Sequence, residues 1–99
     1  MIKVKVTKKC ISVLGHADYD DYGKDIVCAS VSSVVLCSVE AIANFNINAI
    51  DVKQSENKTE IIINSDDNIT TELIKNMLNC LKELEKKYPK NIEIIDKEE

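Results

Sequence analysis

From residue 26 to about residue 44 the chain runs without a glycine or a proline, and Val27, Val31, Val34, Val35, Ser38, Ile42 and Phe45 recur at intervals of three and four. That spacing predicts one long helix with a single apolar stripe, and such a stripe requires a second layer to cover it. The β-branched residues that dominate the stripe lose χ1 freedom in a helix, so burial rather than propensity has to hold it. Asp25, immediately in front, is a favourable N-cap.

The remaining segments supply the layer. Residues 1–7 alternate Ile2, Val4 and Val6 with Lys3 and Lys5, a period of two that predicts a strand with one wet face. Residues 10–15 are β-rich and are expected to pair back on that strand as a hairpin, which carries His16 to its open end. Residues 48–54 and 59–64 read as two further strands joined by a polar turn through Ser55, Glu56, Asn57 and Lys58. Ser65, Asp66, Asp67 and Asn68 offer caps for a second helix, in which Ile69, Leu73, Met77, Leu81, Leu84 and Tyr88 keep helical spacing until Pro89. Residues 91–96 form a last strand. The expected order is ββαββαβ and the expected class α+β: two helices packed on one face of a largely antiparallel five-stranded sheet. The ββα unit occurs twice, without a residue-level repeat.

Ninety-nine residues predict one domain, residues 1–99, and a composition of 44% apolar and 30% charged residues is that of an ordinary globular chain. No apolar run is expected to reach the roughly 18 to 20 residues needed to span a bilayer. The N-terminus alternates like a strand and lacks the apolar core and cleavage site of a signal peptide, so a cytoplasmic location and no membrane partner are expected. The net charge is −4 and all 13 basic residues are lysines, which argues against direct nucleic-acid binding. Cys10, Cys28, Cys37 and Cys80 contain no Cys-x-x-Cys pair, and one histidine is too few for the usual zinc ligand sets, so neither a metal nor any other cofactor is expected. Disulfides are not expected in such a compartment.

Chemistry concentrates in residues 15–29, which hold both glycines, the only histidine and one of the four cysteines. Gly15 and Gly23 bracket an acidic segment with Asp18, Asp20 and Asp21, and this pattern suggests a flap with defined ends. It resembles a calcium loop only in part, because Tyr22 stands at the fifth ligand position and Ala29 where a bidentate glutamate is needed. With Asp25 as N-cap, Cys28 is the third helical residue, where unpaired N–H groups and the helix dipole favour a thiolate and would favour an oxyanion. His16 supplies the base of a nucleophile–base pair. Asp25 has two competing roles: it caps the helix, or it orients His16 through a ring N–H. Ser32, one turn after Cys28, either helps to position the site or bonds back to the carbonyl four residues earlier. Cys10, Cys37 and Cys80 are expected to be small buried hydrophobes.

The Gly15-His16-Ala17 triplet, the acidic loop, and Asp25-Ile26-Val27-Cys28-Ala29 followed by Val31 and Ser32 resemble the bacterial ribosomal-processing cysteine proteases, the Prp family. The resemblance implies a homodimeric endopeptidase that removes a short N-terminal extension from a large-subunit ribosomal protein, number twenty-seven, during ribosome assembly. By motif position it makes Cys28 the nucleophile and His16 the base, with Asp25 and Ser32 at further motif positions. Ser30 departs from the alanine expected there. Beside the enzyme stand two other readings of the same residues: a non-enzymatic module that binds a ribosomal protein through the acidic loop, and a thiol redox sensor. The sensor is disfavoured because Cys37, nine residues along the same helix, is roughly 13 Å away at 1.5 Å per residue.

Overall fold

The computed structural model describes residues 1–16, 19–21 and 25–97. Ala17, Asp18 and Gly23 therefore lie outside the described residues. The order is β1 (Ile2–Val6), β2 (Cys10–Leu14), α1 (Ile26–Phe45), β3 (Ile50–Ser55), β4 (Lys58–Ile63), α2 (Asn68–Lys87) and β5 (Ile92–Asp96). Each of the seven expected elements is present, with ends within about two residues of where the caps and turns put them.

The five strands form one sheet in the order β3-β4-β2-β1-β5. The two hairpins meet through β2 and β4, antiparallel from Cys10↔Ile62 to Leu14↔Lys58, so the second strand of each hairpin is central. β5 joins the outer side of β1 in parallel, from Ile2↔Ile92 to Val6↔Asp96, which makes the sheet mixed. The outward N–H of Ile94 on β5 donates to Glu85 Oε2 of α2 at 2.7 Å, and that carboxylate covers part of the edge.

Alternation along β1 buries Ile2, Val4 and Val6 and exposes Lys3 and Lys5. The buried face receives Val27, Val31, Val35 and Ile42 from α1 and Thr70, Ile74, Met77 and Leu81 from α2, with Ile11 and Ile61 at the centre of the sheet. Two residues assigned to buried stripes by their spacing lie outside them: Phe45 is 48% exposed and Ile69 is 48% exposed. Both sit in the terminal turns of their helices. On α2 Met77 and Leu81 are buried as expected, while in the first two turns the buried positions are Thr70 and Ile74, one residue on from Ile69 and Leu73; the Thr70 hydroxyl donates to the cap, Asp67 Oδ2, at 2.8 Å. That bond is why a polar residue can be fully buried there.

One expectation is overturned. α1 is, by length and composition, long and apolar enough to cross a membrane. Its serines do not interrupt the apolar run, because the hydroxyls of Ser30 and Ser38 donate to the carbonyls of Ile26 and Val34, each at 2.7 Å.

Candidate active site

α1 begins on Asp25, whose extended backbone (φ −78°, ψ 100°) suits an N-cap. Its Oδ1 accepts from the N–H of Val27 at 3.0 Å and of Cys28 at 2.9 Å, and its Oδ2 from those of Tyr19 at 3.0 Å and Asp20 at 3.4 Å. Desolvation pushes this carboxyl up, but the bonds from Cys28, Tyr19, Asp20 and Val27 outweigh it and hold the group below the ordinary value of 3.8. Both oxygens are thus committed to backbone, and of its two candidate roles Asp25 fills the cap. The expectation of unpaired N–H groups beside the thiol also needs correcting. The N–H groups of Val27 and Cys28 belong to the Asp25 carboxylate, so they are not the donors that would receive an oxyanion.

Cys28 is half-buried and packs against the core, at the third position of α1. None of the four cysteines is in a disulfide; Cys10 is half-buried, whereas Cys37 and Cys80 are exposed rather than core residues. The difference is one of face: α1 and α2 direct only one stripe to the sheet, and Cys37 and Cys80 fall outside it.

β2 ends at Leu14, and Gly15 turns the chain with φ 84°, in the left-handed region. A Cβ there would stand 2.8 Å from the carbonyl oxygen of Met1, and the Gly15 N–H donates to the Asn57 carbonyl at 2.9 Å. Gly15 is therefore a fixed corner that aims His16, rather than the pivot its place before the acidic segment suggested. His16 Nε2 lies 2.7 Å from Asn57 Oδ1, at the tip of the β3–β4 hairpin. Of the acidic segment, Asp20 and Asp21 are exposed, and the Asp21 N–H donates to Asp20 Oδ1 at 2.7 Å. The ring of Tyr19 meets that of Tyr88 edge-on at 5.5 Å and 77°, which ties the described part of the loop to the end of α2.

These pieces enclose a cleft of about 720 Å³. Gly15, His16, Asp20, Asp25, Cys28 and Ser32 all line it, so the structure brings together the residues singled out in the sequence that are described, apart from Asp21. The opposite wall was not anticipated. It is the hairpin from Gln54 to Thr59, with Glu56, Asn57 and Lys58 at its tip. Residues Ser55 to Lys58 read from sequence only as a turn, and a turn asparagine is so ordinary that nothing local marks it as a partner of histidine. Among the described residues no three His, Cys, Asp or Glu side chains converge as metal ligands would.

A half-buried thiol at the head of a helix, sharing one cleft with the chain's only imidazole, is the apparatus of a thiol hydrolase. Residues 1–93 match the family model described as cysteine protease Prp. Over 83 residues, 81% of this chain and 78% of the relative, the sequence is 36% identical to the ribosomal processing cysteine protease Prp of Staphylococcus aureus. The crystal structure of that organism's essential ribosomal processing protease Prp with a covalently linked product peptide superposes with a TM-score of 0.93 at 29% identity, covering 98% of this chain and 100% of that one. Its complex with a substrate peptide superposes with a TM-score of 0.86 at 28% identity and the same coverage. A Streptococcus mutans protein, 20% identical, shares the fold with a TM-score of 0.78 over 99% of this chain and 93% of its own. The chain belongs to the Prp family of cysteine proteases.

Proposed function

We propose that this protein is the endopeptidase that removes the N-terminal extension of large-subunit ribosomal protein number twenty-seven, acting in the cytoplasm during ribosome assembly. The observation that carries the reading is the meeting of Cys28 and His16 in one cleft, on a chain matched to the protease family over residues 1–93. The relatives from Staphylococcus aureus support the substrate class, since they are ribosomal processing proteases and hold a substrate or product peptide.

Cys28 is the nucleophile and His16 the base. The imidazole takes the thiol proton, the thiolate adds to the scissile carbonyl, and the proton passes to the leaving amine as the C–N bond breaks. The resulting thioester is hydrolysed by water, which returns the thiol. Ser32, one turn along α1, lines the cleft beside the thiol. The working form is a homodimer, and the exposed Leu36 (59%) and Ile47 (74%) supply apolar surface that a second copy would cover.

The test is mass spectrometry of the source organism's ribosomal protein precursor after incubation with the wild type, Cys28→Ala and His16→Ala. Loss of one defined N-terminal peptide with wild type alone is the expected result. An intact precursor that co-purifies with all three proteins would make the chain a binding module instead.

A further inference from the structure

We propose that Asn57 is a positioning residue for His16: its side-chain carbonyl accepts the Nε2 hydrogen, holds the ring as the Nε2–H tautomer, and leaves Nδ1 to take the Cys28 proton. The inference rests on the reading of Cys28 and His16 as nucleophile and base.

Three observations carry it. Nε2 of His16 and Oδ1 of Asn57 are 2.7 Å apart, and an amide oxygen can only accept, so this nitrogen carries the hydrogen. Asn57 holds the preceding residue too, because its backbone carbonyl accepts from the Gly15 N–H at 2.9 Å. The hairpin gripping His16 is itself fixed: β3 and β4 pair up to Ser55↔Lys58, and β4 pairs with β2 up to Leu14↔Lys58, one residue from Asn57 and two from His16. An exposed imidazole has two tautomers and several rotamers, and these contacts select one of each. Asp25, the usual kind of residue for this task, is occupied by four backbone N–H groups.

A neutral acceptor also suits the surroundings. The cleft already carries Asp20, Asp25 and Glu56, and a further carboxylate beside the ring would add negative charge where a thiolate has to form. An amide orients the imidazole without adding charge. Through the cycle the hydrogen stays on Nε2, bonded to the Asn57 oxygen, while Nδ1 gains the thiol proton, gives it to the leaving amine, collects one from the hydrolytic water and returns it to the departing Cys28 sulfur.

The test is long-range proton–nitrogen correlation on protein labelled at its one histidine, run beside peptide-cleavage kinetics. The expected result is the Nε2–H tautomer in wild type and in Cys28→Ala. Asn57→Ala should show a mixture of tautomers, with kcat lowered roughly ten- to hundredfold and KM changed less than twofold, while the melting temperature stays near wild type. Asn57→Asp, which keeps an acceptor oxygen, should restore the single tautomer but only part of kcat, because its carboxylate adds negative charge beside the forming thiolate. An Nδ1–H tautomer in wild type overturns the proposal whether or not the alanine variant folds, and so does Asn57→Ala with unchanged tautomer and kcat. Cleavage surviving in Cys28→Ala would instead overturn the underlying reading, and the tautomer result would stand apart from it.

Discussion

Gly15 shows how much one residue without a side chain decides. Its φ of 84° is costly for other residues, by roughly 1–2 kcal/mol, and its close approach to the Met1 carbonyl leaves no room for a methyl group. Gly15→Ala should therefore lower the melting temperature by several degrees, and also lower kcat, because the next residue is His16. Thermal unfolding followed by circular dichroism and a cleavage assay on the same sample measure both. A variant that melts like wild type would show that the Met1 segment yields to the added carbon. The importance of Gly15 was visible in the sequence but its role was not, since a glycine before a polar segment reads equally as a corner or a hinge. Cys28 and His16 stood out because thiol and imidazole are scarce in the chain, whereas Asn57 is one of many asparagines and its partner lies 41 residues away.

The two helices start alike. Asp25 caps α1, and Asp67 caps α2 by accepting from the Thr70 N–H at 2.8 Å. Hydrogen bonds from the Ser65 hydroxyl first, then the Thr70 N–H and hydroxyl, hold the Asp67 carboxyl below the ordinary value of 3.8. A carboxyl depressed in the folded state stabilises fully above its unfolded value, and that stabilisation drains away as pH falls through that value toward the lower folded one. The melting temperature should hold steady at neutral pH and decline as pH drops below about 3.8. In Asp67→Asn the decline should be shallower, from a lower plateau, by calorimetry across the acid range. Helix starts were legible because a cap is a local device, written within four residues. Strand existence was legible for the same reason, from period-two alternation. The parallel docking of β5 on β1 was not, because alternation says which face is wet and nothing about which neighbour a strand will choose.

At the scale of the whole molecule the net charge of −4 is unevenly used. Asp20 and Glu56 line the cleft, with Asp21 exposed beside it and Lys58 the basic residue on the opposite wall. A cleft so lined would attract a basic peptide, and that attraction would weaken as added salt shortens the Debye length to about 8 Å at physiological strength. Replacing Asp18, Asp20 and Asp21 together with asparagine should raise KM for a basic peptide a few-fold at low ionic strength, with the gap closing as salt is added. Equal KM values for the two proteins at low salt would remove the steering role. The overall α+β architecture followed from counting elements and layers, while the substrate cleft depended on how two hairpins meet, which no single segment encodes.

That meeting also sets a clock. Cys28 leaves the ribosome early, yet its histidine is aimed by residue 57, and β2, which pairs first with β1, gains its other neighbour only when β4 has been made. A half-finished chain therefore carries Cys28 without the second wall of its cleft. Synthesis itself thus sets the order in which the two walls of the cleft meet, the helix and His16 first and the β3–β4 hairpin after them.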